Sequence, residues 1–491
     1  MNAELSADDY RDLLAAALSK ATDADTTQPE LQTLFTPSSH RTALYIDNTV
    51  VKGGRGVGKT FWYHSLLNDR LREVAAREYG IERLRHLVVS PGYGALLNAE
   101  RYPGPRVLRE LVEHDIQPYN LWYAVLLTAL GQPDIQRLRG WKERITWVVA
   151  HEEEAERAIQ EADQAAQAKG KTHLILFDAL DRLHRVRTQA DRLVGGLLQL
   201  ALHVRLATRN IRFKVFIRPD MFDEALLHFP DASKLTASNA TLKWSRTNLY
   251  GLLFHTLGNH DSELAARFRR LTGEWESELN GQRYKPPTSL SGDEKVQTNW
   301  FTDIAGPYMG SDYRKGRTYT WLPNHLMDGK EQISPRSFLS ALSKAVAYTR
   351  EEHASHRYAI HHEGIRRGVQ VASKTRVQEI REDMPWVHLA IQPLSGQRVP
   401  IDEQQVVKAW EEADLIELLQ EEAKRYEGTD EEASVRTGPR HPDNPRRLIE
   451  ELIAIGVMQR RRDGRIDLPD VYRIAFNIGR KGGVPRLSAS T

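Results

Sequence analysis

Apolar positions along the chain recur with two periods. The run "TALYIDNTVVKG" (residues 42–53) is apolar and β-branched and ends on glycine, so it predicts a buried strand. It is followed by "KTFWYHSLLNDRLREVAAREYG", with apolar side chains at helical spacing and a stop at Gly80. "LRHLVVS" predicts a second short strand. Long helical patterns run from about 105 to 130 and from 141 to 168, the latter strongly polar and solvent-facing. "THLILFDALDRL" is a continuous apolar run ending in acids, and "IRFKVFIRPDMF" is another, ending Arg-Pro-Asp. "ATLKWS" predicts a further strand ahead of a helix over 245–257. Strands alternating with helices argue for a parallel, doubly wound α/β sheet. Runs apolar on both faces agree, because such strands are covered on both sides.

Outside this core, residues 7–19 predict a helix, followed by a polar Thr/Asp loop and the short apolar step "LQTLF". Residues 275–330 are rich in Gly, Pro, Ser and aromatics and read as a loop-rich insertion. Helical spacing resumes with "SPRSFLSALSKAVAYTREEH". Beyond about Asp383, "DEQQVVKAWEEADLIELLQEEAKRY" and "NPRRLIEELIAIGV" predict helices. "MQRRRDGRIDLPDVYRIAF" after them predicts a hairpin turning on Asp463-Gly464. The expected division is an N-terminal helical segment (1–40), a nucleotide-binding core (41–270), an insertion with a helical lid (271–385) and a C-terminal module (386–491).

Composition narrows the class. A chain of 491 residues suits two to four domains, and 40% hydrophobic with 27% charged residues suits a soluble globular protein. No window approaches eighteen uninterrupted apolar residues, and the acidic N-terminus lacks a basic leader region, so no membrane span or signal peptide is expected. The absence of cysteine excludes disulfides, thiolate zinc sites and cysteine nucleophiles. Together these predict a cytoplasmic protein. The net charge of +2 argues against a broadly basic surface, although arginines gather near the C-terminus in "RRLIEELIAIGVMQRRRDGR" and "RKGGVPR".

Residues 53–60 spell G-G-R-G-V-G-K-T, a full match to G-x-x-x-x-G-K-[ST], between a predicted strand and a predicted helix. Glycines let backbone N–H groups turn inward onto phosphate oxygens, and the helix start adds its dipole. Gly53, Gly54, Arg55, Gly56, Val57, Gly58, Lys59, Thr60 and Phe61 are therefore the candidate ATP-binding residues, with Lys59 on the β- and γ-phosphates and Thr60 on Mg²⁺. "LILFDALD" puts Asp178 at a strand's C-terminal edge, where open α/β sheets bind ligands, as the second Mg²⁺ residue. Asp181 is the candidate for orienting or deprotonating the attacking water; the alternative reading of the two acids is as caps of the next helix. Arg218, ending "KVFIRPD", can read the γ-phosphate by charge-assisted hydrogen bonding, or can be a strand-end arginine paired with Asp220.

The loop, the strand ending D-A-L-D-R and the later strand ending in arginine resemble the additional-strand P-loop ATPases. Among these they are similar to the STAND and KAP-type (AAA-like) NTPases of prokaryotes. That resemblance covers about residues 35–350. It implies that Arg218 senses the γ-phosphate and that Arg336 of "ISPRSFLSAL" approaches it from the lid; the latter stretch also reads as an ordinary helix start, with Ser334 capping and Pro335 first. KAP-type proteins tend to carry D-D-L-D-R, and Ala179 replaces the second acid here, leaving Asp181 as the candidate base and implying slow turnover. "SSHRTAL" is placed near the base. The resemblance further implies a homo-oligomer, a protein partner or effector, and a role in bacterial antiviral defence.

The C-terminal order of helices and hairpin resembles a winged helix. Arg460, Arg461, Arg462 and Arg465 would be its phosphate contacts on DNA, but interleaved acids such as Glu450, Asp463 and Asp467 suit a protein-facing wing equally. Tryptophans 62, 122, 141, 147 and 244 read as core, and the pair His361-His362 reads as surface. Two functions fit: a Mg-ATP-hydrolysing switch or motor coupling nucleotide state to partner or DNA binding, or an ATP-sensing DNA-binding regulator with little turnover. A small-molecule kinase would have no use for the lid and wing.

Overall fold

The computed structural model describes residues 4–19, 28–184, 186–225, 229, 231–425 and 438–482. The polar Thr/Asp loop and most of "RKGGVPR" lie outside these residues. Five parallel strands form the central sheet: β1 Val50–Lys52, β2 Leu87–Tyr93, β3 Thr172–Phe177, β4 Ile211–Ile217 and β5 Asn239–Thr241. Their spatial order is β2-β3-β4-β1-β5. β4 thus stands as an additional strand between the phosphate-loop strand and the acid-bearing strand. Successive residues face opposite layers. Leu174 and Leu176 enter one buried cluster, with Val51 and Phe216. Ile175 and Phe177 enter the other, with Val50, Phe213 and Val215. This two-sided covering explains the unbroken apolar runs. Lys214 of β4 is fully buried, and its Nζ donates to the carbonyls of Ala43, Tyr45 and Asn48 at 2.8, 3.0 and 2.9 Å, fixing the approach to β1.

Several predicted helices are broken, each for a local reason. The helix after the phosphate loop is two, Lys59–Leu67 and Asp69–Tyr79, because Asn68 caps the second through its side chain. It ends on Gly80 at φ 62°, as predicted. The pattern over 105–130 divides into Pro105–Glu113 and Pro118–Leu130, with Asp115 reversing the chain at φ 49°. That over 141–168 divides at His151 into Trp141–Ala150 and Glu152–Ala168; the three glutamates of the second start favour its N-terminal dipole. Residues 275–330 are more regular than expected. They hold a two-stranded hairpin, Glu276–Glu278 with Arg283–Lys285, and helices Thr288–Gly292, Glu294–Ala305 and Thr318–Leu326. Phe301 and Tyr319 of this stretch are core, and Tyr319 stacks on Tyr250 with ring centroids 4.1 Å apart.

The lid is a helical hairpin. Its first helix spans Pro335–Glu352 and its second spans His362–Asp383. Side-chain-free contacts set their spacing. A Cβ on Gly364 would lie 2.6 Å from the carbonyl of Ala345, and one on Gly368 would collide with the carbonyl of Ala341. The second helix runs on into the core of the C-terminal module through Ile380 and Met384. That module has helices Glu403–Glu412, Leu415–Arg425 and Pro445–Ala454, then the antiparallel pair Gln459–Arg460 and Ile466–Asp467. Gly464 makes the turn at φ 84°, and Ile401 adds a bridge to Ile466. The order and the hairpin are winged-helix-like.

Candidate nucleotide site

The phosphate loop leaves β1 at Gly53 and enters its helix at Lys59. Gly56 and Gly58 take φ of +73° and +102°, a region costly for other residues. A Cβ on Gly56 would also stand 2.5 Å from Ser334 Oγ. The loop is braced from behind by Trp244, whose indole N–H donates to the carbonyl of Val57 at 2.8 Å. Lys59 Nζ lies over the loop, donating to the carbonyls of Gly53 and Gly54 at 3.0 and 2.8 Å. Thr60 Oγ1 donates to Asp178 Oδ2 at 2.7 Å, across 118 residues of sequence. Asp178 follows β3 and is 2% exposed.

Burial lowers the pKa of Lys59, with Asp178 and Asp181 acting against it. Burial raises the pKa of Asp178, opposed by the Thr60 hydroxyl and by Lys59. A buried carboxylate touching one hydroxyl, beside an ammonium and a second acid, is a donor set that suits a hard divalent cation. Ala179, between Asp178 and Leu180, holds φ 56°, a left-handed conformation that orients the short turn carrying Asp181. His64 stands one turn beyond Thr60 and within electrostatic reach of Asp178; burial lowers its pKa and Asp178 raises it.

Arg218 leaves β4 paired with Asp220, donating from Nε to Oδ1 at 3.0 Å and from Nη2 to Oδ2 at 2.8 Å. Arg187 Nη2 reaches the same Asp220 oxygen at 3.0 Å, and its Nε binds Asp191. Arg440, ahead of helix Pro445–Ala454, reaches Asp191 at 3.4 Å and the carbonyl of Asp220 at 2.8 Å. One chain of charges therefore joins the end of β4 to the C-terminal module, around a small cavity of about 20 Å³ lined by Arg187, Arg218, Asp220, Trp386 and Arg440.

The lid touches the phosphate loop directly. Ser334 Oγ donates to the carbonyl of Gly56 at 3.3 Å. Arg55 pairs with Asp383 and lies 3.8 Å from Glu379. Arg336 bonds Glu379 at 3.3 Å. Glu379 and Asp383 carry no local sequence signature, and only the fold brings them to the loop. Burial raises the pKa of Asp383, and Arg55 pulls it down. The first-turn residue Phe61 is partly buried and packs against the core. "SSHRTAL" forms a 3₁₀ helix, with His40 buried against Trp62.

On the hairpin tip most cations have acids. Arg460 bonds Glu403 at 2.8 Å and also Glu450. Arg461 bonds Asp467 at 2.7 Å, and Arg465 bonds Asp463 at 2.6 Å. Arg462 is exposed. Four of the five singled-out tryptophans are buried, as read from the sequence, and Trp147 is partly so. No helix among the described residues is long and apolar enough to cross a membrane.

No family model matches the chain, and no curated protein does. Among solved structures it is similar to the Orc2 protein of Aeropyrum pernix in its ADPNP-ADP complexes. That pair shares 13% identity over 93% of this chain and 96% of the other, with a TM-score of 0.39. It is also similar to Cdc6p from Pyrobaculum aerophilum, at 10% identity over 93% and 95% of the two chains, with a TM-score of 0.31.

Proposed function

We propose that the protein is a Mg-ATP-dependent switch or motor ATPase whose nucleotide state is coupled to partner or DNA binding. The observation that carries this is the 2.7 Å bond between Thr60 and Asp178, formed beside Lys59 at the end of a glycine cradle. The amides of residues 53–59 and Lys59 bind the phosphates. Thr60 and Asp178 would hold Mg²⁺, which supplies charge neutralisation when bound. Asp181 orients or deprotonates the water that attacks the γ-phosphate in line. Arg218 stabilises the charge that develops there, shared between the phosphate and Asp220. Arg336 joins it only on leaving Glu379. We carry forward the STAND/KAP-like subtype because the D-A-L-D-R and Arg218 positions both close strands at this edge. Homo-oligomerisation and a part in antiviral defence are carried from that likeness, and a cytoplasmic location from the composition.

A second reading, an ATP-sensing DNA-binding regulator with little turnover, is favoured by Ala179, which stands in left-handed backbone where an acid would serve as base. Phosphate release by the purified full chain with Mg-ATP, with and without DNA, decides between them. Release supports the ATPase; a thermal shift without release supports the regulator. ATP at 100 times its dissociation constant is expected to stabilise by about 2.7 kcal/mol. No shift at all sinks both.

The wing makes a separate prediction. Arg460 and Arg461 are already paired with acids, so the triple replacement Arg460→Ala, Arg461→Ala, Arg462→Ala removes chiefly the contact of Arg462. The salt slope of log K for DNA is then expected to flatten by about 0.9, one phosphate's worth, rather than three times that. An unchanged slope places protein, not DNA, on the wing.

A further inference from the structure

The tip of the lid hairpin gathers histidines from three places in sequence: His353 ends the first helix, His356 lies in the connection, and His361 and His362 begin the second. The sequence shows His361-His362 as an isolated pair, but the fold lays His353 against His361 with ring centroids 3.9 Å apart. His356 stands 4.6 Å from His361, centroid to centroid. His353 Nε2 is 3.5 Å from Glu363 Oε2 and is a buried nitrogen without a hydrogen-bond partner. One ligand atom each from His353, His361 and Glu363 can be chosen so that all lie within 4.8 Å of one another.

The connection is held in shape by groups that are not part of this cluster. Buried Arg11 donates to the carbonyls of Ala354, Tyr358 and Ala359 at 3.2, 3.3 and 3.2 Å. The backbone N–H of His361 donates to Thr349 Oγ1 at 3.0 Å. Because His361 Nδ1 accepts from the N–H of Glu363 at 3.3 Å, its Nε2 is the nitrogen left for a ligand.

We propose that His353, His361 and Glu363 form a binding site for Zn²⁺ that staples the two lid helices together at their connected end. Tetrahedral bonds of about 2.1 Å put ligand atoms about 3.4 Å apart, close to the His353–Glu363 separation of 3.5 Å. Two imidazoles exclude Mg²⁺ and Ca²⁺, which take oxygen ligands. Water would complete the fourth position. The site is distinct from Thr60 and Asp178. Along a helix of 18 residues, it lies about 27 Å from the lid's phosphate-loop end.

The test is calorimetric titration of Zn²⁺ into tag-free, chelator-treated full chain in excess Mg²⁺, with Co²⁺ absorption as a second readout. One equivalent is expected to bind with a dissociation constant below about 1 μM and tetrahedral Co²⁺ bands. His353→Asn and His361→Asn should each weaken binding about 100-fold, and Glu363→Gln about tenfold. Circular dichroism checks that the variants fold. If His361→Asn unfolds, Glu363→Gln carries the test alone, since its side chain is half exposed. Folded variants that bind Zn²⁺ as well as the parent, or a parent that binds none, overturn the proposal.

Discussion

Lys59→Ala and Asp178→Ala are each expected to cut phosphate release by at least about 100-fold. Removing one preorganised charge from a water-poor site costs that much or more. The two variants should fail differently. In the proposed site Lys59 supplies the charge that binds phosphate, so its loss should also abolish the ATP-induced thermal shift. Asp178 would act on the metal side there, so its loss should leave a shift that no longer depends on Mg²⁺. Without nucleotide, Asp178→Ala should be at least as stable as the parent in urea. Burial raises the pKa of Asp178, so its charged form opposes folding. Undiminished release by both variants would place the chemistry elsewhere.

Asp220→Ala is expected to destabilise the protein by about 3–5 kcal/mol, read from the urea midpoint. Asp220 sits between Arg218 and Arg187, and all three side chains are nearly buried. Taking out the shared anion leaves two guanidinium groups facing each other in low dielectric. The pH dependence has a definite sign. Burial works against the charge on Asp220, but Arg218 and Arg187 outweigh it and lower its pKa. Its contribution is therefore complete above the ordinary carboxylate value of about 4 and drains as pH falls below it toward the lowered folded value. In Asp220→Ala that part of the acid sensitivity should vanish. An unchanged midpoint would show that the two arginines find other partners.

The phosphate loop was legible because its chemistry is local: glycines, lysine and threonine within eight residues, framed by a strand and a helix. Asp178 was legible because a buried strand that ends in an acid is unusual. The meeting of Thr60 with Asp178 follows once the helix start after the loop of β1 and the end of β3 lie on one edge of the sheet. Arg218 was harder. A strand-end arginine followed by Pro-Asp fits a sensor and an ion pair alike, and the structure shows the ion pair. Glu379, Asp383 and Arg440 were not legible at all. They are ordinary helix-end and loop charges, and Arg55 meets Asp383 across 328 residues. The helices within 275–330 were not legible because turn-forming residues mask their periodicity: Pro287, Asp293 and Gly306 flank the first two, and Pro323 lies inside the third. The His353–His361 contact was hidden by the seven residues between them, whose path depends on Arg11 from the far end of the chain.

Gly364 and Gly368 bring the two lid helices backbone to backbone at two points, against Ala345 and Ala341, and buried side chains such as Leu342, Val346, Ile365 and Val369 fill the space beside them. One end of the hairpin rests on Gly56 and Arg55, and Arg11 of the N-terminal helix Ala7–Leu18 holds the other, so a single two-helix element spans from the glycine loop to the chain's first helix, and a spectroscopic reporter on that helix tests whether nucleotide occupancy is felt there.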